Sequence, residues 1–286
     1  ENHVIATSSL ASTSEVSDAA HAASPTSTVL PMRLVESLTR PTEAERRELV
    51  AFVEDVGRRS GRPPLSDHLW LGLRSGGDDG FIAVRLAEPD RTLALAQISS
   101  ANDTAVLEVV VHPDAEDASA LLADAVATAI DTFVRSSAGT GDGRLTWWVD
   151  DPDAAMAPIA ARHGLQLLRE LHEMRRPLPH PDSATIETRG FVVGRDEDAW
   201  LAVNNRAFAD HSEQGGWTAS TLEQRSHEPW FDADGFRLHE HDAMLAGFCW
   251  TKVHGGGLGE IYVIAVDPAF HGRGLGRELT LSGLDW

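Results

Sequence analysis

The chain has 286 residues, and its 24 lysines and arginines face 44 aspartates and glutamates, a formal net charge of −20. So acidic a surface repels nucleic-acid phosphates and anionic lipid, which excludes general polyanion binding; an anionic ligand needs a local device such as a ring of backbone amides. One cysteine, Cys249, excludes an internal disulfide and a multi-cysteine zinc site and fits a reducing cytoplasm, and no apolar run approaches the roughly 18 residues of a membrane span.

Residues 1–32 are dominated by Ala, Ser, Thr and Val and read as a disordered tail. A first domain is expected over 33–178. It opens with a helix read over 33–60, where PTEAE gives a start signal and Gly61 a stop. LSDHLWLGL (65–73) is a short amphipathic stretch, and FIAVRLAEPDRTLALAQISS (81–100) reads as a β-hairpin. AVLEVVVHP (105–113) is a β-branched strand, DASALLADAVATAIDTFVRSS (117–137) a helix, and GRLTWWVDD (143–151) another strand. A short helix ending at Gly164 and an extended segment complete the domain.

Prolines at 177, 179 and 181 mark a boundary, with the linker placed at 179–187 and a second domain at 188–286. There the order repeats: a helix (197–210), a hairpin (236–253), a strand ending at Pro268, and a helix from about 273. LEVVVHPDAED (107–117) and GEIYVIAVDPAFHGRG (259–274) share an acidic residue, a β-branched run and a proline before a helix, so a tandem duplication of one α/β unit is expected. The last residues, LGRELTLSGLDW, are still accumulating apolar positions at helical spacing. They predict a second domain truncated at its C-terminus, with an exposed apolar face around Leu279 and Leu284.

The most specific motif follows the strand that ends at Pro268. Gly272, Gly274 and Gly276 let backbone approach a ligand, the amides of His271 to Gly276 sit at a helix N-terminus, and Arg273 and Arg277 add charge. This is a pyrophosphate cradle. A P-loop is excluded because no Gly-Lys-Ser/Thr follows, and a dinucleotide-binding turn needs an acidic residue about 20 positions on, beyond the last residue given.

His271-Gly272-Arg273-Gly274-Leu275-Gly276 resembles the acetyl-CoA loop of the GCN5-related N-acetyltransferases (GNAT), with His271 where Gln or Arg is usual. VNNRAFADHSEQGGW (203–217), GFCWTKVH (247–254), GLGEIYVIAVDP (257–268) and MRRPL (174–178) narrow the resemblance to the tandem GNAT enzymes of mycothiol biosynthesis. It implies an α/β fold of two GNAT domains, the first degenerate and non-catalytic. It also implies acetyl transfer from acetyl-CoA to the cysteinyl amine of Cys-GlcN-inositol by a cytoplasmic monomer, with no metal, nucleic acid or membrane. Another small-amine acetyltransferase and a non-catalytic acyl-CoA-binding remnant stand as alternatives.

By the same resemblance Glu260 is the general base and a substrate contact, and Ile264, Ala265 and Val266 hold the pantetheine arm with the 271–277 loop. Glu213, Lys252 and Asp67 contact substrate, and Val109, Val110 and Val111 are the matching strand of the first domain. There the cradle is replaced by Asp114-Ala115-Glu116-Asp117, carboxylates where amides and arginines belong. Taken singly, Lys252 on a strand reads as solvated surface and Cys249 as a packed core thiol. The departing thiolate usually takes its proton from a tyrosine later in the family's chain, and Tyr262 does not match that position.

Overall fold

The computed structural model describes residues 2–8, 33–76, 81–101, 104–137, 144–150, 152–211 and 214–286. The chain divides into two compact units, Glu1–Glu173 and Met174–Trp286.

In the first unit, β2 (Leu34–Leu38) precedes α1 (Glu43–Ser60) and α2 (Asp67–Ser75), then β3 (Ile82–Glu88), β4 (Arg91–Ala101), β5 (Thr104–Val111) and α3 (Ala118–Ser137). β6 (Arg144–Asp150), α4 (Met156–Arg162) and β7 (Gln166–His172) follow. The helix expected over 33–60 therefore begins ten residues late. Pro41 disfavours helical backbone just before it, and Thr42 supplies a capping box with Glu45, its N–H donating to Glu45 Oε2 at 2.7 Å. Leu34–Leu38 instead pairs antiparallel with β3.

The tail reading also gives way over β1 (Asn2–Ser8), which lies antiparallel between β6 and β7. Ladder pairing to the edges of both neighbouring strands holds this segment in the sheet. Residues 9–32 lie outside the described residues. The sheet packs α3 on one face and α1 with α2 on the other. β5 joins β6 in parallel only from Thr104↔Arg144 to Leu107↔Trp147, so Val109–Val111 run beyond that pairing.

The second unit contains β8 (Arg189–Gly190), α5 (Glu197–Ala207), α6 (Ala219–Ser226), β9 (Phe236–His241), β10 (Met244–Val253), β11 (Gly259–Val266) and α7 (Leu275–Asp285). This repeats the order of β2 to α3, and its sheet runs β11-β10-β9-β8. Of the expected linker, Ala184 and Thr185 donate backbone N–H bonds to Asp285 and Glu278 on α7, at 2.9 and 2.6 Å. One face of the sheet is aromatic: Trp200 of α5 is fully buried, edge-on to Trp217, Phe236, Phe248 and Trp250.

The opposite face carries α7, brought close by two glycines. A Cβ on Gly247 would stand 2.7 Å from Leu279 Cδ1, and one on Gly283 would stand 2.5 Å from Cys249 Sγ. Of the face expected to be exposed, Leu279 is fully buried, Leu284 half-buried and the neighbouring Trp286 exposed. Cys249 is buried as expected, and that burial pushes its thiol up to about 12. Gly283→Ala should overpack this contact and destabilise the unit by about 1–3 kcal/mol, read as a lower urea midpoint at unchanged slope. A midpoint equal to that of the parent protein would show that α7 stands off the sheet.

Candidate active site

The turn from β11 into α7 is anchored before it opens. Asp267 accepts the Ala269 N–H at 2.9 Å and the Arg206 Nε–H at 3.1 Å, tying the turn to α5. Burial pushes the Asp267 carboxyl up, but Arg206 and the Ala269 amide outweigh it and hold the group below the usual carboxylate range. The anchor thus stabilises the fold above the ordinary aspartate range and is lost only as pH falls through the depressed value. His271 donates from Nε2 to the Val266 carbonyl at 3.0 Å, closing the turn on the strand end. This gives the unusual first residue of the motif a structural use.

Gly272 and Gly274 both adopt left-handed backbone, at φ 78° and 79°, and Gly274 is the N-cap of α7. First-turn amides of a helix have no partner within it, and none among the described residues accepts from the amides of Gly272 to Gly276. Gly272, Gly274, Leu275 and Gly276, together with Ile264, Ala265 and Val266, line an open cleft of about 460 Å³. A Cβ at Gly272, Gly274 or Gly276 would meet no protein atom within 4 Å, so these glycines face space. The cleft is thus faced by backbone amides at the start of a helix. Arg277 pairs with Asp182 at 2.8 Å and Glu278 at 3.3 Å, and Arg273 lies over the Phe270 ring at 5.1 Å. Both Arg277 contacts are exposed surface pairs.

At the other end of β11 the strand pairing breaks. Trp250 faces Val263 whereas Thr251 faces Ile261, leaving Tyr262 as a bulge. Beyond the bulge Lys252 pairs with Glu260, placing the two on one face of the hairpin. Glu260 accepts from His254 Nε2 at 2.6 Å, with 44% of its side chain exposed. Lys252 is not the solvated surface lysine its strand position suggests. It is buried, its Nζ 4.6 Å from the Trp230 ring and 5.2 Å from that of Tyr262. Arg225 of α6, also buried, lies 4.1 Å from the Trp217 ring and donates from Nε to Tyr262 Oη at 3.1 Å. Arg225 is not among the expected residues because α6 is not among the expected helices; the Thr218–Thr221 capping box just after Trp217 is the available signal. Glu213 lies outside the described residues. Asp67 opens α2 in the first unit.

In the first unit the corresponding positions are used differently. β4 and β5 pair without a bulge from Ala94↔Val111 to Ala101↔Thr104, and Glu108 accepts the Ser66 N–H at 2.8 Å, at the start of α2. In the acidic loop, Asp114 pairs with Arg59 at 2.7 Å, and Asp117 holds a left-handed φ of 57°. Val109, Val110 and Val111 form the end of β5, but no glycine cradle follows them. Among the described residues no group of three or more His, Cys, Asp or Glu is placed to hold a metal ion. No helix among them is long and apolar enough to cross a membrane.

Residues 170–286 match the model of the acetyltransferase (GNAT) family. The chain is 41% identical over 256 residues to the mycothiol acetyltransferase of Thermobispora bispora, spanning 86% of this chain and 83% of that protein. It is 40% identical over 253 residues to that of Thermomonospora curvata, spanning 85% and 80%. In fold it is similar to a GCN5-related N-acetyltransferase from Sphaerobacter thermophilus, with a TM-score of 0.56 at 18% identity over 88% of this chain and 82% of that one. An amide cradle at the start of α7, a bulged strand leading to it, and this extent of identity agree: the chain belongs to the mycothiol acetyltransferase family of GNAT N-acetyltransferases.

Proposed function

We propose that the second unit transfers the acetyl group of acetyl-CoA to the cysteinyl amine of Cys-GlcN-inositol, the last step of mycothiol biosynthesis. The observation that carries this reading is the cleft lined both by the end of β11 and by the open amides leading into α7. Those amides and the helix dipole suit a pyrophosphate, which a protein of net charge −20 could not hold by its general field. The pantetheine arm then follows Ile264–Val266 back along β11. Strand rise puts Glu260 about 13 Å from Ile264, at the far end of the arm.

There Glu260 takes the proton of the substrate ammonium. The neutral amine forms the new C–N bond as the C–S bond breaks. The nitrogen sheds its second proton to the departing thiolate, giving the amide and CoA thiol, and Glu260 returns its proton to solvent. Buried Lys252 and Arg225, walled by Trp217, Trp230 and Tyr262, suit the hydroxyl-rich sugar and inositol, with Glu213 as a further substrate contact. The assay is CoA release with Cys-GlcN-inositol set against simpler amines. Rapid turnover of the simpler amines, with none of Cys-GlcN-inositol, would support the broader small-amine reading instead.

The first unit takes no part in the chemistry on this reading. Calorimetry should give one acetyl-CoA per chain, and changing Glu116 and Asp117 to alanine should leave acetyl transfer within about threefold, as expected of exposed substitutions outside a site. Two equivalent sites, or a large fall in kcat with normal folding, would contradict it.

A further inference from the structure

His254 has no role in the reaction as derived, yet its ring makes the closest contact to Glu260. It follows the last residue of β10, and its backbone N–H donates to the Leu258 carbonyl at 2.8 Å. The intervening Gly255–Gly257 turn contains two left-handed residues, Gly256 at φ 76° and Gly257 at φ 80°, where a side chain would be strained. This tight reversal returns the chain so that His254 and Glu260 meet on the face that Lys252 shares. His254 is the more covered of the two, with 24% of its side chain exposed against 44% for Glu260. A carboxylate only accepts, so the 2.6 Å contact fixes the donor as Nε2–H and the acceptor as Oε2. Among the described residues no other hydrogen-bond donor reaches Glu260. Lys252, its partner in register, directs its ammonium over Trp230 and Tyr262 instead.

We infer that His254 is a positioning residue for acetyl transfer: its Nε2–H holds Oε2 of Glu260 and leaves Oε1 to meet the incoming ammonium. The inference rests on Glu260 being the proton acceptor. As a mere ion pair at the rim of a hairpin the contact would contribute little to stability. As an orienting bond it restricts a half-exposed carboxylate to one geometry, and misplacing a reacting group by about 1 Å can cost on the order of 100-fold in rate.

The test measures kcat, KM for both substrates and the melting temperature in the full chain for His254→Ala, His254→Gln, Glu260→Gln and the double variant His254→Ala/Glu260→Gln. His254→Ala should lower kcat about 10- to 100-fold while leaving KM for acetyl-CoA and the melting temperature unchanged. Glutamine can donate from a similar reach, so His254→Gln should recover most of the loss. The double variant should be no slower than Glu260→Gln alone, because both changes act through one proton transfer. A wild-type kcat in His254→Ala, or losses that multiply in the double variant, overturns the inference while leaving Glu260 as base. A fall in melting temperature that accounts for the lost rate, unrelieved by glutamine, assigns the contact to hairpin stability and also overturns it. Full activity in Glu260→Gln removes the base and the positioning role together.

Discussion

Gly274→Asp should abolish acetyl-CoA binding while leaving the second unit folded. The residue is at φ 79° as the N-cap of α7, and a Cβ there meets no protein atom within 4 Å. Aspartate is one of the few residues that visit left-handed backbone at modest cost, so the fold tolerates the change. The ligand does not. A carboxylate among the first-turn amides satisfies the donors meant for the pyrophosphate and opposes its charge. At an effective dielectric of about 20, two unit charges about 4 Å apart repel by about 4 kcal/mol, close to three decades in affinity. Gly274→Ala carries the backbone strain without the charge and should weaken binding far less. Calorimetric affinity unchanged in the aspartate variant would mean that the cleft is not the cofactor site.

Glu260→Gln should keep the shape of the site and lose the proton acceptor, at a cost of about 10²–10⁴-fold in rate. The sign of its pH dependence follows from the amine. Below an α-amino pKa of about 7.7–8.0 the nucleophile is an ammonium that must shed a proton, whereas above it the neutral form is already abundant. The deficit should therefore shrink as pH rises. Pre-steady-state kinetics must first establish that chemistry limits turnover. With that shown, a Glu260→Gln rate equal to the parent's at every pH would exclude this carboxylate as the base. Acetyl-CoA affinity should hold in this variant and fail in Gly274→Asp, separating the two ends of β11.

Most of the element order and the glycine turn before α7 were legible in the sequence because each is a local property. The β-branched run from Ile261 to Val266, the proline that stops it and the glycines at 272, 274 and 276 act over a few positions along one strand, turn and helix. The swap of glycines for carboxylates at 114–117 was equally plain. The strand at Leu34–Leu38 was not, since a five-residue run beside a strong helix start is decided by its partner β3.

The tertiary structure alone decided what surrounds the reacting end. Lys252 looked like surface until Trp230, 22 residues earlier in the chain, closed over it. Arg225 acquired a role only when α6 brought it to Trp217 and Tyr262. The Tyr262 bulge is a register shift between two strands, so it belongs to neither strand by itself. Arg277 shows the same dependence: its partner Asp182 lies 95 positions away in the chain. Backbone amides at a helix start point where the helix axis points, so short-range sequence specifies them. Long cationic side chains go to whichever aromatic face or carboxylate the fold brings within reach, and that depends on residues far apart in the chain.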